Sequence, residues 1–187
     1  MDIALRLKKE HDYLAACARQ ERWAQELLYK DYYPIMVPLC QRYSTNKEDA
    51  LDIMHEGFIK VFKHIYKYEP GTSLNAWIKR IMVNTAIDYY RKRVRRRTEN
   101  IDTAFSISSG DPNAINFLAA EEIIACLHQL SPSYRSIFNL YVIEGFSHKE
   151  IAQKMNISES TSRSNLVKAR AKLRALLKAN YADYERK

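Results

Sequence analysis

The chain has 187 residues, 47% of them hydrophobic, and a formal net charge of +8, enough apolar material for one or two small packed cores. The basic balance, with a pI near 9.3, favours a polyanionic partner. The absence of an apolar run of transmembrane length, a signal peptide or a lipidation motif argues against direct membrane insertion and for a cytoplasmic location. Three widely separated cysteines exclude a disulfide framework, and four glycines without strand-like alternation make the expected fold all-α.

Residues 1–43 carry mostly helical periodicity. Tyr13, Leu14 and Cys17 lead into Trp23, Leu27, Leu28, Tyr32 and Ile35, a stripe that reads as core, and Pro34 and Pro38 are expected to bend or break the pattern. Asn46 is placed to cap a helix running from Lys47 to about Tyr66, with Ala50, Met54, Phe58, Val61, Phe62 and Ile65 inward. Asp49, Asp52, Glu56 and Lys60 project from its other side. An acidic strip in a basic protein is a poor match for DNA. It is either a solvated face, with acid favoured near a helix N-terminus, or a docking site for another protein, and composition alone favours the solvated face.

Glu69-Pro70-Gly71-Thr72 interrupts the chain, and Thr72 or Ser73 can cap the helix that follows. Leu74, Ile78, Ile81, Met82 and Thr85 are expected inward, with Trp77, Arg80, Asn84, Asp88 and Arg91 on an adjoining face. The helix ends in the run Arg91-Lys92-Arg93-Val94-Arg95-Arg96-Arg97. Aromatic rings beside amides and a dense cationic end suit single-stranded nucleic acid, where rings stack on bases and cations follow the backbone. Core burial accounts for Trp77 equally well, whereas the arginine run favours a polyanion. From Thr98 to Phe117 the composition shifts to Ser, Asp, Asn, Gly and Pro, which reads as a flexible linker, 98–117, between domains at 1–97 and 118–187.

Helical pattern resumes at Leu118. Ser131 caps a further helix with Pro132 in its first position, and Ile137, Phe138, Leu140 and Tyr141 follow before Gly145 stops it. Cys126 and His128 lie close together but no second ligand pair follows, so a buried thiol and a surface imidazole are expected, with no metal. Ser147 and Glu150 form a capping-box pattern ahead of Ile151, Ala152 and Met155. Asn156 suits a turn, Ile157 plugs the angle, and Ser158 caps again. Two helices and a tight turn make a helix-turn-helix. In the second helix Ser162, Leu166, Ala169, Leu173, Leu176 and Leu177 fall on the buried side, leaving Thr161, Ser164, Asn165, Lys168 and Lys172 facing out, flanked by Arg163, Arg170 and Arg174. Hydroxyl, amide and cationic groups on one open face can donate to base edges in a major groove while arginines hold phosphates. An ordinary amphipathic helix with a solvated basic face would share that surface but would not need the capped helix before it.

These two blocks, in this order, resemble the extracytoplasmic-function group of the bacterial sigma-70 family. EDALDIMHEGFIKVF resembles the family's polymerase-docking helix, GTSLNAWIKRIMVNTAIDYYRKRVRRR its promoter-melting segment, and LSPSYRSIFNLYVIEGFSHKEIAQKMNISESTSRSNLVKARAKL the domain that reads the minus-35 element. The resemblance implies a sigma factor with core RNA polymerase and promoter DNA, duplex and single-stranded, as partners. Asp49, Asp52, His55, Glu56 and Lys60 would dock on the clamp coiled coil of the largest subunit; His55 stands where relatives usually carry Gln. The flap of the second subunit is the other implied polymerase contact, and the family leaves room for an inhibitory anti-sigma factor. Tyr68, Gly71, Thr72 and Ser73 match the loop that receives a flipped base, though YEPGTSL departs from the commoner acidic version. Trp77, Arg80, Asn84, Arg91 and Arg93 match the minus-10 and melting surface, and Thr161, Arg163, Ser164, Asn165, Lys168, Arg170 and Lys172 the minus-35 reader. No cofactor is implied, and the sequence carries no paired carboxylates, nucleophile with base, or glycine-rich phosphate loop pointing to an enzyme. A regulator that binds DNA without polymerase would not need the acidic helix or the Trp77 segment. A purely helical adaptor would not need the arginine-rich end.

Overall fold

The computed structural model describes residues 12–99 and 118–184, with side chains described over 12–95 and 122–178. Among them every regular element is helical. Helix α1 covers residues 12–18. It is followed by α2 (Arg22–Tyr43), α3 (Lys47–His64) with a 3-10 turn (Ile65–Lys67), and α4 (Leu74–Glu99). Then come α5 (Leu118–His128), α6 (Pro132–Phe138) running into a π-helical turn (Asn139–Ile143), α7 (His148–Met155) and α8 (Glu159–Tyr184). The expected linker falls mostly on residues 100–117, outside the described residues. The fold forms two compact units: one takes in the described residues up to Cys40 together with Lys47–Ala86, the second Gln41–Asn46 with the described residues from Ile87 on.

In the first unit the buried core includes Leu28, Met36 and Leu39 of α2, Ile53, Met54, Phe58 and Val61 of α3, and Ile78 and Met82 of α4, all at most 3% exposed. Full burial of side chains of this size stabilises by about 1.5–3 kcal/mol each. The expected α2 stripe is corrected: Trp23, Leu27 and Ile35 are 56%, 45% and 51% exposed, while Ala24 and Leu28 take the inner positions. Close packing admits the small alanine, and the indole N–H of Trp23 instead donates to Glu21 Oε2 at 2.7 Å. The prolines do not break α2, which runs through both. Pro34 and Pro38 stand on its exposed side, where the carbonyls they leave without an amide donor can meet water. Helices α3 and α4 cross at Gly57, whose absent Cβ would lie 2.2 Å from Met82 Sδ.

In the second unit Cys126, Leu127 and Leu130 of the α5 segment pack on Ala169 and Leu173 of α8, with Tyr134, Phe138 and Leu176 against them. Leu177, expected inside, is 36% exposed because the buried row of α8 passes through Leu173 and Leu176 and leaves the next residue turned outward. Arg135, only 1% exposed, donates to the carbonyls of Leu127, His128 and Leu130 at 2.9–3.1 Å. A cation is thereby placed on the orphan carbonyls that end α5. The last turn of α2 belongs to this unit: Asn139 Nδ2 donates to the Arg42 carbonyl at 2.6 Å, and Arg42 pairs with Glu144 at 3.4 Å. His128 is half-buried, not a surface imidazole, because its Nε2 lies 2.9 Å from the Gln41 carbonyl. Burial pushes its pKa down.

Gly57→Ala is expected to lower stability by about 1 kcal/mol in urea unfolding. Overpacking against fully buried Met82 costs about 1–3 kcal/mol, more than the ~1 kcal/mol alanine gains over glycine in a helix. In a Met82→Ala background, where the space is open, the same substitution is expected to stabilise.

Candidate nucleic-acid interface

The helix-turn-helix is built from local hydrogen bonds. Ser147 Oγ accepts from the Glu150 amide at 3.3 Å, and Glu150 Oε2 accepts in return from the Ser147 amide at 2.9 Å and hydroxyl at 2.7 Å. The capping box read from the sequence is therefore closed. Asn156 adopts φ 53° and ψ 52°, the left-handed conformation asparagine tolerates. The Ile157 amide then reaches back to the Ala152 carbonyl at 3.1 Å, which ends α7 and reverses the chain. Ser158 Oγ accepts from the Thr161 amide at 3.0 Å and caps α8. Ile151, Met155, Ser162, Leu166 and Ala169 are buried where the two helices meet the rest of the unit.

This arrangement leaves a defined outer face on α8. Arg163, Ser164, Lys168, Arg170 and Lys172 are exposed, whereas Thr161 and Asn165 are only partly so. The Thr161 hydroxyl lies 2.7 Å from Ser158 Oγ, and Asn165 Nδ2 donates to Ser133 Oγ at 3.3 Å, so both are tied into the scaffold at the edge of the face. Arg163 pairs with Glu159. Val167, absent from the residues picked by sequence, is 67% exposed between Ser164 and Lys168. Its signal was its apolar character at a position where helical period calls for a polar one.

The segment expected to take part in melting lies at the start of α4. Glu69, Pro70, Gly71, Thr72 and Ser73 are all exposed, and Gly71 takes φ 93°, which favours glycine. Tyr68 is only 6% exposed: its hydroxyl donates to the Thr72 carbonyl at 2.5 Å and its ring meets Trp77 edge-on at 5.9 Å. Tyr68 therefore holds the loop from beneath. Ser73, not Thr72, caps α4, accepting from the Ala76 amide at 3.3 Å, while the Thr72 hydroxyl donates to the Glu69 carbonyl at 2.8 Å. Trp77 and Asn84 are half-buried and Arg80 is exposed. Arg91 lies 3.7 Å from Asp88 and donates to the Gln153 carbonyl at 3.2 Å, and Arg93 donates to Thr45 Oγ1 at 2.5 Å. The cationic end of α4 is thus partly engaged within the protein.

On α3, Asp52 and His55 are exposed and Asp49, Glu56 and Lys60 are half-buried. Glu56 and Lys60 pair at 3.4 Å. His55 Nε2 lies 3.3 Å from the Tyr29 hydroxyl, their rings stacked at 6.4 Å. Ile59, 66% exposed one turn beyond His55, and Leu51, 36% exposed, add apolar surface to this acidic strip. Their signal was a breach of the amphipathic pattern. Burial pushes the Cys17 thiol up to about 11 and raises that of Cys126, so neither thiol is poised for chemistry. No group of three or more metal-ligating side chains occurs among the described residues.

The chain matches the family model of sigma-70 region 2 over residues 28–96 and that of sigma-70 region 4 over residues 120–173. It is 33% identical to the ECF RNA polymerase sigma factor SigE of Mycolicibacterium smegmatis over 74% of this chain and 56% of that one, so it spans little more than half of that relative. It is 31% identical to the ECF RNA polymerase sigma factor EcfG of Rhodopseudomonas palustris over 75% of this chain and 77% of the other. In fold it resembles the sigma factor RpoE of Bartonella quintana, solved with the anti-sigma factor NepR, with a TM-score of 0.52 and 23% identity over 80% of this chain and 96% of that one.

The capping box supplies a pH test. Hydrogen bonds from the Ser147 hydroxyl and amide hold the Glu150 carboxyl below its ordinary 4.5. A depressed folded value means the stabilisation is present above the unfolded pKa and is lost as pH falls through the folded one. Glu150→Gln is therefore expected to melt below the parent at pH 7, with the two Tm values converging as pH falls through the folded pKa of the carboxyl. A Tm gap independent of pH would contradict the charge-assisted cap.

Proposed function

The chain belongs to the extracytoplasmic-function group of the sigma-70 family, and we propose that it divides the work of a sigma factor among three surfaces at residue level. The chain binds core RNA polymerase and directs initiation at promoters. The observation that carries the division is that region 2 and region 4 lie in order on one chain, each with its own exposed polar face. Asp52 and Glu56 of α3, with Ile59 and Leu51 beside them, form the polymerase-docking surface, and acid there asks for a basic partner. Asp49, His55 and Lys60 stand at its margin.

The exposed loop 69–73 with Trp77, Arg80 and Asn84 holds bases of the opened strand at the minus-10 element. These bases are available only once the duplex has melted, so holding them stabilises the open form. Arg163, Ser164, Lys168 and Lys172 read or flank the minus-35 duplex, Arg170 holds phosphate, and Val167 adds an apolar contact of the kind that recognises a thymine methyl. Thr161 and Asn165 shape the edge of that face. Arg91 and Arg93 attract the DNA backbone through counterion release, which adds affinity without sequence preference. The protein works in the cytoplasm, makes and breaks no bond itself, and takes an anti-sigma factor as an inhibitory partner.

Charge reversal of Asp52 and Glu56 to Lys tests the docking surface. Reversal at a buried charged contact costs about 2–5 kcal/mol, so assembly with core polymerase, followed by size exclusion, is expected to fall at least tenfold. Helical content should be unchanged, and binding to free DNA should not fall. Full assembly by the double variant would return the strip to a solvated face.

A further inference from the structure

The two helices of the DNA-reading unit are joined by more than apolar contact. Ser162, on the inner side of α8, has no exposed surface, and its Oγ lies 2.9 Å from His148 Nδ1 in the first turn of α7. The His148 ring is stacked on Tyr141 of the π-helical turn, with centroids 4.4 Å apart and planes 24° apart. The guanidinium of Arg170, two turns along α8 from Ser162, lies 5.7 Å over the same Tyr141 ring. Tyr141, His148, Ser162 and Arg170 thus make a closed clasp that runs from the turn before α7, through α7, to two points on α8.

Apolar packing between helices is itself non-directional and limits rotation of one cylinder against another only through the fit of side chains. A hydrogen bond is directional. At 3.6 residues per turn, Ser162 lies about 200° around α8 from Ser164 and about 120° from Lys168, so pinning Ser162 fixes where both point. With side-chain tips about 5–6 Å from the helix axis, a 20° rotation moves them by roughly 2 Å, enough to lose a base-edge hydrogen bond. Burial lowers the pKa of His148, and the charges of Arg163 and Arg170 act in the same direction against the weaker opposite pull of Glu159. A neutral ring keeps one nitrogen as an acceptor for the Ser162 hydroxyl.

We propose that His148 is a positioning residue for promoter reading: held by Tyr141 and bonded to Ser162, it sets the rotation of α8 and with it the register of Ser164 and Lys168 on the minus-35 bases. This rests on the reading that the outer face of α8 meets DNA.

The test uses holoenzyme reconstituted from the full chain and core polymerase, with initiation compared on a promoter and on the same promoter with its upstream element scrambled. His148→Leu and Ser162→Ala are each expected to reduce the preference for the intact element about tenfold, and the double variant no further, as for two ends of one interaction. His148→Asn, whose amide can occupy the Nδ1 position, is expected to restore most of the preference. Ser162→Ala removes a hydroxyl alone and gives the same answer should His148→Leu fail to fold. Additive losses, or no rescue by His148→Asn, overturn the proposal. Lys168→Ala run alongside separates two failures. Preference lost there but kept in His148→Leu and Ser162→Ala overturns the positioning role alone; preference kept in all three overturns it together with the reading of α8.

Discussion

The left-handed residue Asn156, with a serine cap on either side of it, fixes the angle between α7 and α8, and everything the second unit can offer a duplex depends on that angle. Each contributing bond is local and modest, about 0.5–1.5 kcal/mol net. Their effect is collective, because they leave the chain one way to turn. The buried row Ser162, Leu166, Ala169 and Leu173 then faces the core, and the opposite row must face outward. A reading surface arises here as the complement of a packing surface.

The first unit meets a different constraint. Its exposed loop 69–73 hangs from buried Tyr68 and from the cap of α4, so a flexible-looking segment is held at both ends by bonds that end in the fold. Single bases are flat, apolar-faced and hidden in duplex DNA, so on the proposed reading a pre-held loop beside a half-buried tryptophan has nothing to grip until strands part. The net charge of +8 draws the protein to any DNA through counterion release. Selection must come from these two surfaces, and polymerase must present both to one promoter.

What could be read in the sequence was what is local. Ser147 with Glu150, Asn156, Ser158 and Ser131 with Pro132 were legible because a cap and its partner lie within a few residues. The stripe on α2 was read too wide: Leu28 was placed inside and is buried, but Trp23, Leu27 and Ile35 lie on its outer edge, and hydrophobicity pointed to Trp23 where close packing admits the small Ala24 beside it. Arg135 on the end of α5 and the bond from Asn139 to Arg42 were not legible, since each joins elements whose neighbourhood periodicity does not encode. The support that Tyr68 gives the loop from beneath was not legible, because an aromatic next to a loop has the same letter in either role. His148 passed unnoticed for the related reason that its partner, Ser162, looked like a small core residue and its other neighbour, Tyr141, like core.

The central claim is that the outer face of α8 selects the upstream bases while the first unit selects downstream ones. Sequencing transcripts initiated by holoenzyme on a library with both elements randomised tests it directly, with the parent chain and Lys168→Ala compared. The account predicts two separated preferences for the parent. Lys168→Ala should lose discrimination worth about 1–3 kcal/mol at one or two adjacent upstream positions, with the downstream preference unchanged. Initiation without an upstream preference, or an upstream preference untouched by the substitution, would contradict it.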